Sequence, residues 1–270
     1  MLAAAALGLL IGVVLGGLGG GGGVLTVPAL VYLLDQPAQE ATTSSVVVVG
    51  ISAVAGVLAR ARSGSVDWRT ALEFGLAGVP AALLGTLLNR HVAEPVLLLS
   101  FAATTLVAAA LMLAAPPRPD PDVNVPPSAS TPRDGPSAAL AARPRQGARR
   151  AVPVVACGLV VGFLTGFLGV GGGFLVVPAL VIALRMPMVV AIGTSLAIIT
   201  INALASFVPR VAAADLDWAL LLPFTLAAVL GTFLGKRVAD QLSGSTLRRA
   251  FAVMLILVGV AVAVESLVSL

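Results

Sequence analysis

Charge is what this chain has least of. Asp, Glu, Lys and Arg make up 10% of its 270 residues, where a soluble domain uses about 25%. So few charges cannot cover a surface for water, which excludes a soluble globular fold. Lipid must be the surrounding solvent. Cysteine occurs once, at Cys157 between apolar neighbours. That excludes an internal disulfide and reads as a small buried residue. Histidine also occurs once, at His91, in a connection between apolar runs. No pair of aspartates lies inside an apolar run, so an intramembrane protease has nothing to be built from. No Gly-Lys-Ser or Gly-Lys-Thr follows a glycine run, so an ATP-binding phosphate loop is excluded too. No enzyme activity, cofactor or metal is expected.

The formal charge of +4 raises the question of nucleic acid. The arginines, however, sit in short connections and one linker rather than along an amphipathic face. They read as orientation signals, and no nucleic-acid partner is expected.

What is present is hydrophobic: 59% of the residues, with a mean hydropathy of +1.07. Apolar runs cover residues 2–34, 42–59, 68–88, 96–115, 152–184, 189–208, 218–235 and 247–267. Six of the eight have the length of one helix across about 30 Å of hydrocarbon. The first and fifth, 33 residues each, would reach about 50 Å as single helices, too long for one crossing. The apolar start, residues 1–20, has no basic flank and recurs in the second half. It is therefore expected to belong to the folded protein rather than to a removable signal.

Residues 116–150 are rich in Pro, Ser, Arg and Asp and nearly free of large apolar side chains. They read as a linker outside the membrane. The linker separates a first membrane repeat, 1–115, from a second, 151–270. Residues 8–34 and 158–184 align without a gap at an offset of 150, with 16 of 27 positions identical. The same offset pairs Pro37 with Pro187, Ser45 with Ser195 and Asp67-Trp68 with Asp217-Trp218. This glycine and proline register marks a duplication.

Loop charges bear on topology. If each long run crosses once, there are eight spanning helices in parallel repeats, and the 16 Lys and Arg divide ten to six. If each long run is a re-entrant hairpin, each half keeps three crossings and the repeats are inverted. The division is then fourteen to two, with the linker in the cytoplasm. The expectation is an all-α polytopic membrane protein with inverted repeats; the parallel arrangement stays open.

The hairpin tips would carry the chemistry. They read Gly19-Gly20-Gly21-Gly22-Gly23 and Gly169-Val170-Gly171-Gly172-Gly173, and each run is followed five residues on by a proline, Pro28 or Pro178. Glycine runs disfavour helix. Unwound backbone at membrane depth survives where it is buried in protein or lines a wet cavity. Its N–H groups and the helix start after it can hold an anion without a charged side chain. Matching breaks in two repeats point to a transporter's midplane site. The expected binding residues are therefore Gly21, Gly22, Gly23, Gly171, Gly172 and Gly173. Gly8, Gly12 and Gly16, at four-residue spacing, fit close helix packing instead.

The next run in each half opens on hydroxyls: Thr43, Ser44 and Ser45 in one, Thr194 and Ser195 in the other. These could cap a helix or donate to an oxyanion. Ser52 and Asn202 are paired polar residues inside crossings, and either could be interhelical glue; Asn202 joins the candidates. The carboxylates nearest the crossings, Glu73 and Glu265, read as interfacial. Proton coupling therefore has no clear carrier within the membrane.

The glycine run before Pro, the second Pro nine residues on and the Gly193-Thr194-Ser195 opening resemble the TauE/SafE sulfite exporter family. The resemblance covers the chain outside the linker. The first half departs from it, with Thr43-Ser44-Ser45 where the second has Gly-Thr-Ser. It implies a multi-pass cell-membrane transporter for a small sulfur-containing anion such as sulfite or an organosulfonate. A homodimer is compatible with it.

Overall fold

A computed structural model describes residues 2–34, 36, 38–61, 63–89, 91–92, 94–114, 145–168, 173–207 and 218–268. Ten α-helices account for most of them: α1 (Leu2–Leu18), α2 (Gly21–Pro28), α3 (Ala38–Ala61), α4 (Trp68–Asn89), α5 (Glu94–Ala114), α6 (Arg145–Leu168), α7 (Gly173–Pro178), α8 (Met188–Phe207), α9 (Trp218–Asp240) and α10 (Gly244–Val268). Among the described residues there is no strand. Seven helices, α3 to α6 and α8 to α10, are long and apolar enough to cross a membrane. Their outward faces carry large apolar side chains, such as Leu72, Leu76, Leu83 and Leu87 of α4. Such a surface suits lipid. Helix α6 starts at Arg145, inside the stretch read as linker; residues 115–144 lie outside the described residues.

The halves interlock. Along α1, a Cβ added to Gly8, Gly12 or Gly16 would run into the backbone of Phe224, Ala228 or Thr232 of α9. Along α6, a Cβ on Gly158, Gly162 or Gly166 would run into Phe74, Gly78 or Ala82 of α4. The numbers rise together, so each pair is parallel. Contact of bare backbones supplies the van der Waals packing that holds helices together in lipid. Helices α3 and α8, equivalent in the duplication, run the other way past each other. Gly50 faces Ala203, and Gly56 faces Leu196.

The first half also contains a reversal. Helix α1 ends at a turn in which Gly19 has φ +84°, a left-handed conformation that suits glycine. After it, a Cβ on Gly22 would stand 3.0 Å from Ile11 O and 2.7 Å from Leu15 Cβ. In one continuous helix, residues 11 and 22 would be about 16 Å apart. The chain therefore doubles back on α1.

Helices α2 and α7 end on Pro28 and Pro178, and five residues of π-helix follow each, Ala29–Leu33 and Ala179–Ala183. A proline cannot donate its ladder hydrogen bond, which loosens the register there. Leu184 N–H reaches back five residues to Ala179 O at 3.2 Å. Both segments close alike: Gln36 N–H donates to Leu30 O and Met186 N–H to Leu180 O, each at 3.0 Å.

Candidate functional site

The described glycines of the two tips meet. A Cβ on Gly20 would overlap the carbonyl oxygen of Gly173, and a Cβ on Gly173 would lie 3.2 Å from Gly20 O. Gly19 faces helix α8: its Cβ position is 2.6 Å from Ser195 Oγ and 3.3 Å from Ile192 Cα. Gly21 packs against Met254 and Val14, and Gly22 against α1. Gly23 is different, with only Val49 Cγ1 of α3 near its Cβ position, at 3.8 Å. No side chain caps the start of α2 at Gly20. Gly171 and Gly172 lie outside the described residues. Phe174, at the start of α7, is fully buried and stacks edge-on against Phe101 of α5, with ring centres 5.2 Å apart.

The hydroxyl residues are not helix caps. Helix α3 begins at Ala38 and α8 at Met188, so Thr43, Ser44, Ser45, Thr194 and Ser195 lie about two turns inside. An N-cap stands before the first turn, which rules that reading out. All five are buried. Ser195 Oγ donates to Ile192 O at 2.8 Å, and Thr194 Oγ1 accepts from Asp67 N–H at 3.0 Å. Thr194 and Ser195 therefore join α8 to the α3–α4 connection and to the first tip. Thr43 to Ser45 hold the matching position in α3.

Two polar residues deeper in α3 and α8 stand out, the candidate Asn202 and its repeat partner Ser52. Ser52 Oγ and Asn202 Oδ1 are buried without a hydrogen-bond partner among the described residues. They occupy equivalent positions, near the crossing of Gly50 and Ala203. A buried polar atom without a partner costs about 1–3 kcal/mol.

One buried charge was not marked by the apolar runs of the sequence. Arg60, which the sequence presents as a loop charge, lies in the last turn of α3 and is 2% exposed. It is the one buried charged side chain among the described residues. Its Nη2 donates to Gly16 O in the last turn of α1 at 2.7 Å. Its Nη1 lies 3.9 Å from Asp240 Oδ1 at the end of α9. The other oxygen of Asp240 accepts from Lys236 at 2.6 Å. A signal for Arg60 did exist: at the offset of 150 it pairs with Arg210, which lies outside the described residues. Glu73, by contrast, pairs with the exposed Arg69 at 2.8 Å, as an interfacial carboxylate would.

Seven helices long and apolar enough to cross a membrane fit a polytopic membrane protein, and glycine runs at matching positions of two sequence repeats point to the transporter class. The profile of the sulfite exporter TauE/SafE family matches residues 4–262, and the chain belongs to that family of membrane transporters. It is similar to a "Probable membrane transporter protein" of Xylella fastidiosa (strain 9a5c), 32% identical over 97% of this chain and 95% of the relative. It is also similar to the "Probable membrane transporter protein YunE" of Bacillus subtilis, 27% identical over 97% of each. No solved structure matches it significantly.

Proposed function

We propose that this chain is a secondary carrier of small sulfur oxyanions, of the sulfite and organosulfonate class, acting by alternating access between two inverted repeats in the cell membrane. The observation that carries the reading is the glycine start of α2. It has no side-chain cap and is seated against Gly173 and the first turns of α8. A helix start of this kind offers N–H donors and the positive end of the helix dipole to an anion.

Inversion is supported by the antiparallel run of α3 past α8. It is supported again by Arg60 and Asp240, which bring the ends of α3 and α9 to one face. Parallel repeats would put those ends on opposite faces. With inverted repeats, the linker shares its side with 14 of the 16 Lys and Arg, which favours the cytoplasm. Export is the direction that the family's description suggests.

Gly23→Ala is the clean test, since its added methyl meets only Val49, at 3.8 Å. Sulfite flux into proteoliposomes should fall at least ten-fold, with insertion and melting temperature kept. Unchanged flux would remove the glycine segment from the transport path. An anion channel is the second reading. Saturable counterflow of labelled sulfite identifies the carrier, and its absence identifies the channel.

A further inference from the structure

Arg60 brings a positive charge into the interior with fewer partners than it can use. A guanidinium has five N–H donors. One satisfies Gly16 O. Nη1 is 3.9 Å from Asp240, beyond hydrogen-bond range. Nε is buried and has no partner among the described residues. Asp240 is a loose counterion: it is 45% exposed and holds Lys236 more closely than Arg60. Arginine does not shed its proton, so a charge at this depth calls for an anion to complete it.

The place is as telling as the charge. Gly16 lies three residues before the Gly19 turn, which touches Ser195. Gly56, one turn before Arg60, packs on Leu196 and Thr232. The first tip, α8 and α9 therefore converge around the end of α3, and the half-exposed Asp240 marks the edge that water reaches.

We propose that Arg60 binds the transported oxyanion as it passes the first glycine tip, and that the anion and Asp240 compete for the guanidinium. The assignment rests on the carrier reading above. The donor fork of arginine matches two oxygens of an oxyanion. A carboxylate at 3.9 Å is loose enough to be displaced. With anion bound, Nε and Nη1 face it while Asp240 stays on Lys236. With none, Asp240 balances the charge.

The test measures uptake of labelled sulfite, sulfate, thiosulfate and methanesulfonate by proteoliposomes, with variants assayed on whichever anions the wild type carries. Arg60→Gln should raise the half-saturating concentration more than ten-fold, with Arg60→Lys in between. Asp240→Asn removes the competitor and should lower it at least three-fold. A residue that only clamps helices would lower the melting temperature of these variants and leave half-saturation unchanged, which would overturn the assignment. If Arg60→Gln fails to insert, Asp240→Asn decides alone, and an unchanged or raised half-saturation overturns it. Wild-type flux with wild-type behaviour of the variants defeats this assignment only. A wild type that carries none of the four anions defeats the carrier reading and this assignment together.

Discussion

Gly20 and Gly173 touch backbone to backbone, and no side chain larger than hydrogen fits between them. They come from opposite halves of the chain, so this contact ties the two glycine segments together. Gly20→Val has no room to relax, because the obstacle is a peptide carbonyl. Overpacking of this kind costs about 1–3 kcal/mol. We expect the melting temperature in detergent to fall by several degrees and sulfite flux to be lost. A variant with wild-type melting would show that the tips separate freely.

The helix pairs give a paired prediction. Gly12 lies on the backbone of Ala228, and Gly162 on that of Gly78. Gly12→Val and Gly162→Val should each destabilise by about 1–3 kcal/mol. At about 2–4 °C per kcal/mol, scanning calorimetry resolves that. The two losses should be similar, because the two pairs are built alike. A loss in one variant alone would break the equivalence of the halves.

Much of this was legible in the sequence. Lipid demands uniformly apolar segments, so the crossings stood out. The first 33-residue run was too long for one span, and its chain does reverse at glycine. The glycine stripe on α1 packs as its spacing indicated, and its repeat equivalents on α6 pack the same way. Helix starts were not legible, because α3 begins at Ala38 and includes Glu40, ahead of its apolar run. Helices continue past the hydrocarbon, where hydropathy no longer marks them. The burial of Arg60 was hidden for another reason. Its partner Gly16 is 44 residues away, and a charge at the end of an apolar run looks like a loop until that partner is placed.

Ser52 and Asn202 separate stability from transport. Ser52 Oγ is buried without a partner among the described residues, so Ser52→Ala removes a cost rather than a bond. Its effect on stability should lie between zero and a gain of about 1 kcal/mol. If the hydroxyl serves the anion, flux falls several-fold while melting holds. Lost stability with flux intact would mark it as interhelical glue.

Topology can be read with cysteines placed one at a time in a Cys157→Ser background. Inverted repeats put Gly64 and Ser243 on one side and His91 on the other. An impermeant maleimide applied to intact cells should therefore label position 91 and leave 64 and 243 unmodified until the membrane is opened. Opposite labelling of 64 and 243 would establish parallel repeats.

Glu73 should be silent in coupling. It is a surface carboxylate paired with Arg69, and exposed pairs of this kind contribute about 0–1 kcal/mol. Glu73→Gln should leave the pH dependence of sulfite flux unaltered. A shifted profile would make Glu73 a proton carrier after all.

The docking of α1 on α9 and of α6 on α4 means that neither half is a module. Each supplies a wall that the other lacks, as two subunits exchanging arms would. The covalent connection then acts mainly through effective concentration, by making the meeting of two complementary surfaces intramolecular. A chain cut between the halves and expressed as two fragments should need both for either to persist. The duplication thus joins, in one polypeptide, two units that are each incomplete alone.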